Sequence, residues 1–447
     1  MRDTGKLLSE GAVLHKSMPA WWHERQRAAW QRYEAAPTPT RQSEDWRFAN
    51  IAALQFEPYH ADVAIESPQS VIEISSPGFE TESRAVFAND NLLDFQEISS
   101  ELSSRGVIWE PLHTAAAKHE ALLKKYFMAR PIELGSQKFA ALHEAFCRGG
   151  MLLYVPKNVE VKLPLTSFYW LCGEVAFCMP HTLIIAEANS KVTIVDFFRS
   201  YANAPGLACN VNDLYVGQGA QVTYVAVQNW SEKVHSFQLN ATRVEKDASA
   251  KSLFVNLGGL FARLESKSEL VGTGARSEML GLSVGDDRQE FDQRTLQQHV
   301  APNTWSDLLY KNALNFHSKS IFKGLIRVEP GAARTDAYQT NRNLLLSQNA
   351  EANSMPGLEI LNDDVKCSHG ATVGQIDAIQ LFYMKQRGIP EKVAKKLLAF
   401  GFFEEVFERL GNSEIAVELE RQVEVKFLNS KGQETEILKP EAELQQV

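Results

Sequence analysis

The chain has 447 residues, 44% of them hydrophobic, and 46 basic against 55 acidic side chains give it a net charge of −9. That length suits two or three domains, or one elongated solenoid with flanking pieces. The acidic balance argues against a general nucleic-acid or anionic-membrane binder and leaves room only for a local basic patch.

Cys147, Cys172, Cys178, Cys209 and Cys367 are odd in number, widely spaced and free of any CxxC pair. They fit free thiols in a reducing compartment and exclude zinc-ribbon and ferredoxin spacings. Neither a signal-peptide core nor a long apolar run occurs, so the expected location is the cytoplasm, without membrane insertion.

In chain order, residues 19–35 read as a helix, with Pro19 in the first turn and Trp22, Ala29, Trp30 and Tyr33 on one stripe. A Pro37-Thr-Pro-Thr40 link leads to Glu44-Asp45-Trp46; Trp22 and Trp46 are expected in the core. Between 60 and 110 the pattern is mixed, with strand-like runs at Ser70–Ser75 and Ala85–Ala88. Helical signal returns at 112–128 (Leu112, Ala116, Leu123, Phe127) and at 137–147 (Phe139, Leu142, Phe146), and Gly149-Gly150 ends it.

From 151 the texture changes to short β-branched or alternating runs: Leu152–Val155, Thr182–Ile185, Val192–Phe197, Asp213–Val216, Val222–Val227 and Leu253–Leu257. Small-residue turns recur at Ala188, Ala220, Ala248, Ala275, Ala333 and Ala350. From Ala188 to Ala333 their spacing, near 30 residues or twice that, points to a β-solenoid, and the lack of intervening amphipathic helices argues against Rossmann and barrel folds. Asn341 and Asn343 share one strand face and suit amide ladders between stacked coils.

After Gly374 the pattern is helical again: Asp377–Arg387, Pro390–Phe400, then Gly401, then Phe402–Leu410. Phe382, Tyr383, Phe400, Phe402, Phe403 and Phe407 make the segment aromatic-rich. Two readings stand for them: packing of the helices on one another and on the solenoid end, or an exposed docking surface. Residues 411–447 hold one amphipathic piece and a polar, acidic tail of a composition that favours disorder. The resulting division is 1–150 mixed and helical, 151–375 β-solenoid, and 376–447 helical.

The chemistry-bearing stretch is Pro356–Pro390. Val365, Cys367 and His369 fall at period two, so on an extended strand they share a face. A thiol and an imidazole so placed can reach a common metal ion or proton. From spacing alone, packing in the core or at a subunit interface competes with a functional role. Two ligands are too few for a closed metal site, so any bound metal or cluster needs donors from another chain. His113, His119 and His143 lie in helical stretches without carboxylates at metal spacing and read as structural. Cys172 and Cys178 read as buried, inert thiols. Gly272-Thr-Gly274-Ala-Arg-Ser lacks the lysine and the glycine spacing of a phosphate loop and reads as a turn, so no nucleotide is expected on this chain.

The words LEILNDDVKCSHGATVGQID and LFYMKQRGIP resemble the SufB/SufD family of iron–sulfur cluster assembly scaffolds, as do Pro39–Trp46 and Gly331–Ser347. The match is closest to the SufD branch, since Gly370 stands where SufB-type chains are expected to carry glutamate after the histidine. The resemblance implies a mainly β fold: a right-handed parallel β-helix between helical N- and C-terminal regions. It implies a non-catalytic scaffold that pairs with a SufB-like subunit and a SufC-like ABC ATPase, with a transient cluster at the subunit interface. The family's functional pair falls on Cys367 and His369, and ATPase docking falls on the C-terminal helices carrying Phe382, Tyr383, Phe400, Phe402 and Phe403. A homodimer could form in isolation. The rival from another class is a β-helix enzyme, either carbohydrate-active or a Cys–His transferase. It would need paired carboxylates in a groove, or a third orienting group and an oxyanion site.

Overall fold

The computed structural model describes residues 18–40, 42–50, 59–60 and 63–428. Among them the strands are β1 (Ser83–Ala88), β2 (Asn91–Phe95), β3 (Ile108–Pro111), β4 (Gly150–Val155), β5 (Leu165–Leu171), β6 (Ala176–Cys178), β7 (His181–Ala186), β8 (Lys191–Ser200), β9 (Gly206–Val216), β10 (Gln221–Asn229), β11 (Val234–Val244), β12 (Ser249–Asn256), β13 (Phe261–Leu270), β14 (Arg276–Gly285), β15 (Glu290–His299), β16 (Trp305–Leu314), β17 (Lys319–Val328), β18 (Thr335–Leu345), β19 (Glu351–Ile360) and β20 (Val365–Gln375).

Alternate strands stack into two sheets, ordered β2-β1-β5-β8-β10-β12-β14-β16-β18-β20 and β19-β17-β15-β13-β11-β9-β7-β4-β3. All pairs are parallel except β1–β2 and β3–β4. The result is a β-solenoid of about eight turns with helical regions at both ends. From β8 to β20 successive strands of the first sheet start 27–30 residues apart, and β16 fills the double step between Ala275 and Ala333.

Corner chemistry sets this repeat. Asn189, Asp247, Asp287, Asn303 and Arg334 sit at corners with φ of 50–60°, the left-handed region that asparagine and aspartate tolerate best. At Gly274 (φ 77°) a Cβ would lie 2.2 Å from Asp247 Oδ1, so only glycine fits. Gly272-Thr-Gly274 is therefore a solenoid corner between β13 and β14.

Inside the solenoid, apolar residues such as Ile194, Tyr224, Leu264 and Phe322 form one core. Beside it runs a ribbon of buried amides. Asn312 donates to Asn343 Oδ1 (2.8 Å), and Asn343 donates to Asn341 Oδ1 (2.7 Å). Asn312 and Asn343 are register partners on β16 and β18, so Asn343 makes an amide ladder as expected, whereas Asn341 faces Tyr310 and donates to its carbonyl (3.4 Å).

The N-terminal helices Ala20–Ala35 and Gln137–Phe146 cover the outer face of the second sheet, with Trp30, Phe139, Phe237 and Phe261 in one cluster. Trp46 is clamped there: Arg263 lies 3.9 Å above its ring, and its indole N–H donates to the Gly135 carbonyl (2.9 Å). Lys323 reaches both Glu44 and Asp45.

Three local expectations change. Ser70–Ser75 is not a strand: Pro68–Glu73 is a short helix, started by Pro68 and fixed by the Trp170 indole donating to Ser75 Oγ (2.9 Å). The 112–128 helix breaks at His119 (φ −123°, ψ 40°) into Leu112–Lys118 and Glu120–Tyr126, and Leu112, Ala116, Leu123 and Phe127 still share one buried cluster. Glu391–Leu410 runs unbroken through Gly401. The cost of that glycine, about 1 kcal/mol, is offset by Phe403, Val406, Phe407 and Leu410 packing on the outer face of the first sheet. Helix Ser413–Leu428 adds Ile415, Leu419 and Val423 to the same cluster. The acidic tail after it lies outside the described residues.

Candidate functional site: the open mouth of the solenoid

β19 and β20 close the strand order of the two sheets, and each has one edge with no partner among the described residues. Parallel pairing puts Cys367 beside Ala337 and His369 beside Gln339. Ala337 and Gln339 are buried and face the lumen, so Cys367 and His369 face the same way, over a lumen that no further coil covers among the described residues. On the opposite sheet Leu358 pairs with Ile326 and Ile360 with Val328, both partners being wholly buried. Leu358, Ile360 and Val373 thus occupy inward-facing positions and remain 39%, 37% and 49% exposed. Such a patch, rimmed by unpaired strand edges, has the character of an interface.

Cys367 is half-buried and packs against a small cluster of Ile326, Val328, Ala332 and Ala337, whereas His369 is exposed. Their Cβ atoms, two residues apart on one face, lie about 6.5–7 Å apart. Burial pushes the Cys367 thiol above its usual range; Asp336 adds to this and a backbone hydrogen bond with Ala337 opposes it. The resting group is therefore a thiol. A thiol in that state needs a nearby cation to compensate the loss of its proton before it can act as a ligand.

The five aromatics expected to dock a partner do not share one surface. Phe382 and Tyr383 lie on helix Ala378–Gln386, which buries no residue and is capped by Asp377 accepting from the Ile379 N–H (2.7 Å). They are 61% and 58% exposed, and Ile379 beside them is 78% exposed. Phe400 and Phe402 are half-buried: Phe400 packs near Phe427, and Lys311 sits over the Phe402 ring and donates to the Phe402 carbonyl (2.8 Å). Phe403 is wholly buried against the first sheet, so its side chain belongs to the chain's own core. The helix that carries it is pinned by Arg409 to Glu278 and Asp307 and by Lys311 to Glu405.

Cys172 and Cys178 are buried, and burial pushes the Cys172 thiol up to about 12. Among the described residues no helix is long and apolar enough to cross a membrane. Sequence reasoning did not find Leu358, Ile360 and Val373 as mouth residues. Their alternation was visible, but their exposure follows from the absence of a next coil. It also set His143 aside as structural, and did not anticipate that His143 meets His181 of β7.

The fold is a β-solenoid with a covered start and an end at β19 and β20 that no further described strand covers, where Cys367 and His369 lie. The family model for the SUF system FeS cluster assembly SufBD core domain matches residues 169–402, and that for the SufBD N-terminal region matches residues 8–166. The chain belongs to the SufBD family of iron–sulfur cluster assembly proteins. It is 31% identical over 404 residues to the iron–sulfur cluster assembly protein SufD of Bacillus subtilis, covering 88% of this chain and 91% of that one. It is 29% identical over 339 residues to SufBD family proteins of Staphylococcus haemolyticus and Staphylococcus aureus, covering 76% of this chain and 72% of each of those.

Proposed function

We propose that this chain is the SufD-type, non-catalytic scaffold subunit of an iron–sulfur cluster assembly complex. It pairs through the bare edges of β19 and β20 with a SufB-like subunit, and a nascent cluster is built at that interface as cargo. Cys367 and His369 supply part of its ligand shell, and the facing subunit supplies the rest. A SufC-like ABC ATPase docks on the C-terminal helices, with Phe382 and Tyr383 as its exposed anchors. Phe400 and Phe402 contribute only from the edge of the helix packing.

The observation that carries the reading is the juxtaposition at the mouth. The thiol and imidazole stand over an uncovered lumen, beside inward-facing apolar side chains that remain exposed. A second solenoid end would satisfy the strand edges, cover Leu358, Ile360 and Val373, and complete a two-donor site in one step. Iron–sulfur clusters prefer thiolates and also accept imidazole.

Co-expression with SufB-like and SufC-like chains, followed by anaerobic purification, tests this. The wild-type complex should contain all three chains, with iron and sulfide. Cys367→Ser and His369→Ala should keep the three chains together and lose most of the cluster. Phe382→Ala with Tyr383→Ala, on the helix that buries no residue, should release the ATPase and spare the solenoid pairing. A cluster-replete Cys367→Ser, His369→Ala double variant, or a Phe382→Ala, Tyr383→Ala chain that still binds the ATPase at full affinity, would overturn the corresponding part.

A further inference from the structure

Far from the mouth, where the N-terminal helices meet the closed half of the solenoid, a second set of donors converges. One ligand atom each of His143, Cys147 and His181 lies within 4.8 Å of the other two, all three residues are buried, and the two rings approach through His143 Nε2 and His181 Nδ1. They arrive from two bodies. His143 is on helix Gln137–Phe146 and Cys147 follows that helix four residues later, so both fall on one helical face. His181 opens β7 of the solenoid.

The outer nitrogen of each ring faces an oxygen. His143 Nδ1 lies 2.7 Å from the Cys209 carbonyl oxygen. A carbonyl only accepts, so Nδ1 carries the hydrogen and Nε2 keeps its lone pair. His181 Nε2 lies 3.3 Å from Asp213 Oδ2, which also accepts the Met128 N–H (2.6 Å). The His181–Asp213 contact is close but outside hydrogen-bond geometry. A carboxylate oxygen at that distance still repels a lone pair, so Nε2 carries the hydrogen there too. His181 Nδ1 then keeps its lone pair.

Those two inner lone pairs face each other at 3.2 Å. In a buried site they repel unless a positive centre joins them. Two imidazoles on one tetrahedral ion, with bonds of about 2.0–2.1 Å, place their nitrogens about 3.3–3.4 Å apart. A shared proton would also relieve the repulsion, but it has no use for the third donor, a soft sulfur, in the same cluster. An outer carbonyl and an outer carboxylate behind the two rings are the usual supports of metal-bound histidines. The charges also close: a divalent ion, one thiolate and the Asp213 carboxylate sum to zero. The Phe127 ring, 4.2 Å from the His181 ring, walls one side.

We infer that His143, Cys147 and His181 form a structural site for a divalent ion of the zinc class, which staples the N-terminal helices to the solenoid. On binding, Cys147 Sγ loses its proton to solvent and forms the metal–sulfur bond, with no change of oxidation state. Three protein donors occupy three of the four positions of a tetrahedral ion. This inference is independent of the cluster cargo at the mouth.

The test uses the full-length chain carrying Cys367→Ser and His369→Ala, so that the mouth pair cannot contribute. It is purified anaerobically, dialysed, and analysed for metal with Zn(II) and Co(II) as probes. One zinc per chain is expected. Cobalt replacement should give a thiolate-to-cobalt charge-transfer band that disappears on adding Cys147→Ser, and chelation should lower the melting temperature. If Cys147→Ser does not fold, the band and the chelation shift in its parent decide alone. Metal well below one equivalent, with no cobalt–thiolate band in a folded parent chain, would overturn the site and leave a proton shared between the two rings.

Discussion

The two ends of the solenoid are built in opposite ways. At the first coil the lumen is plugged: Leu102, Val107 and Trp109 enter the same core as Met151, Leu153 and Tyr169. The sheets finish there in antiparallel partners, β2 on β1 and β3 on β4. At the last coil nothing described covers the lumen, and both edge strands are parallel continuations of the stack. A solenoid grows by adding coils, so an end left in register, with inward-facing apolar side chains, is a template for another chain. The contrast implies that stability is concentrated at the plugged end and recognition at the open one. The candidate cluster ligands lie where stability has least need of them.

The sharpest way to break this contrast is to remove one apolar side chain from each end. Trp109→Ala, at 3% exposure in the plug, should cost about 3–5 kcal/mol. Ile360→Ala at the mouth should cost less than about 1 kcal/mol in the isolated chain. Urea unfolding of both variants measures this, and equal losses would erase the distinction.

A second effect comes from the buried polar interior between the ends. His299 is fully buried, with Nδ1 2.7 Å from Thr304 Oγ1 and Nε2 2.8 Å from Ser306 Oγ. Burial holds its imidazole down to about 4. Above the ordinary histidine range both folded and unfolded states are neutral at this site, and it has no pH effect. As pH falls from about 6.5 to about 4, the unfolded chain takes the proton first, so stability declines over that window and levels off below it. The loss is of order 3 kcal/mol. His299→Gln should flatten that part of the stability–pH profile, and an unchanged slope would remove His299 as its source.

At the mouth, Val373→Lys adds a charge to a side chain that is 49% exposed, so the melting temperature of the isolated chain should barely move. Pairing with the proposed SufB-like subunit should weaken by about 2 kcal/mol or more, because the ammonium would be buried unpaired. Sedimentation equilibrium of the mixed chains gives the answer; undiminished pairing would move the interface elsewhere. The smallest stability effect belongs to Phe382→Ala with Tyr383→Ala, within about 0.5 kcal/mol. The same double variant should lose most ATPase affinity, and calorimetric binding that matches wild type would exclude the helix Ala378–Gln386 as an anchor.

What the sequence revealed follows from where polar groups are satisfied. β8, β10 and β12 were legible because their buried residues are apolar and β-branched. β13 and β15 were not, because FARLESKSEL and EFDQRTLQQH look like surface. Their charges are buried in a network: Arg263 with Glu265 and Asp292, and Arg294 with Asp292. Arg263–Asp292 joins the two strands, so stacking closes the network, and stacking is invisible in one strand. The Cys367–His369 pair was legible from its period of two. Its lumen-side placement was not, because that is set by the register against Ala337 and Gln339. The aromatic run 400–407 gave helix but not exposure, since Phe403 and Phe407 turn to the sheet while Phe382 and Tyr383 do not.

The most direct test of the open end is amide hydrogen exchange on β20, with and without the proposed SufB-like partner. In the dilute isolated chain the edge amides of β20 should exchange quickly, while those of β16 stay protected. On adding the partner, protection should rise on β19 and β20 and around Cys367 and His369, and stay unchanged on the antiparallel edge at β2. Protection that appears at β2 instead, or a β20 that exchanges equally fast with and without bound partner, would contradict the mouth as the assembly interface.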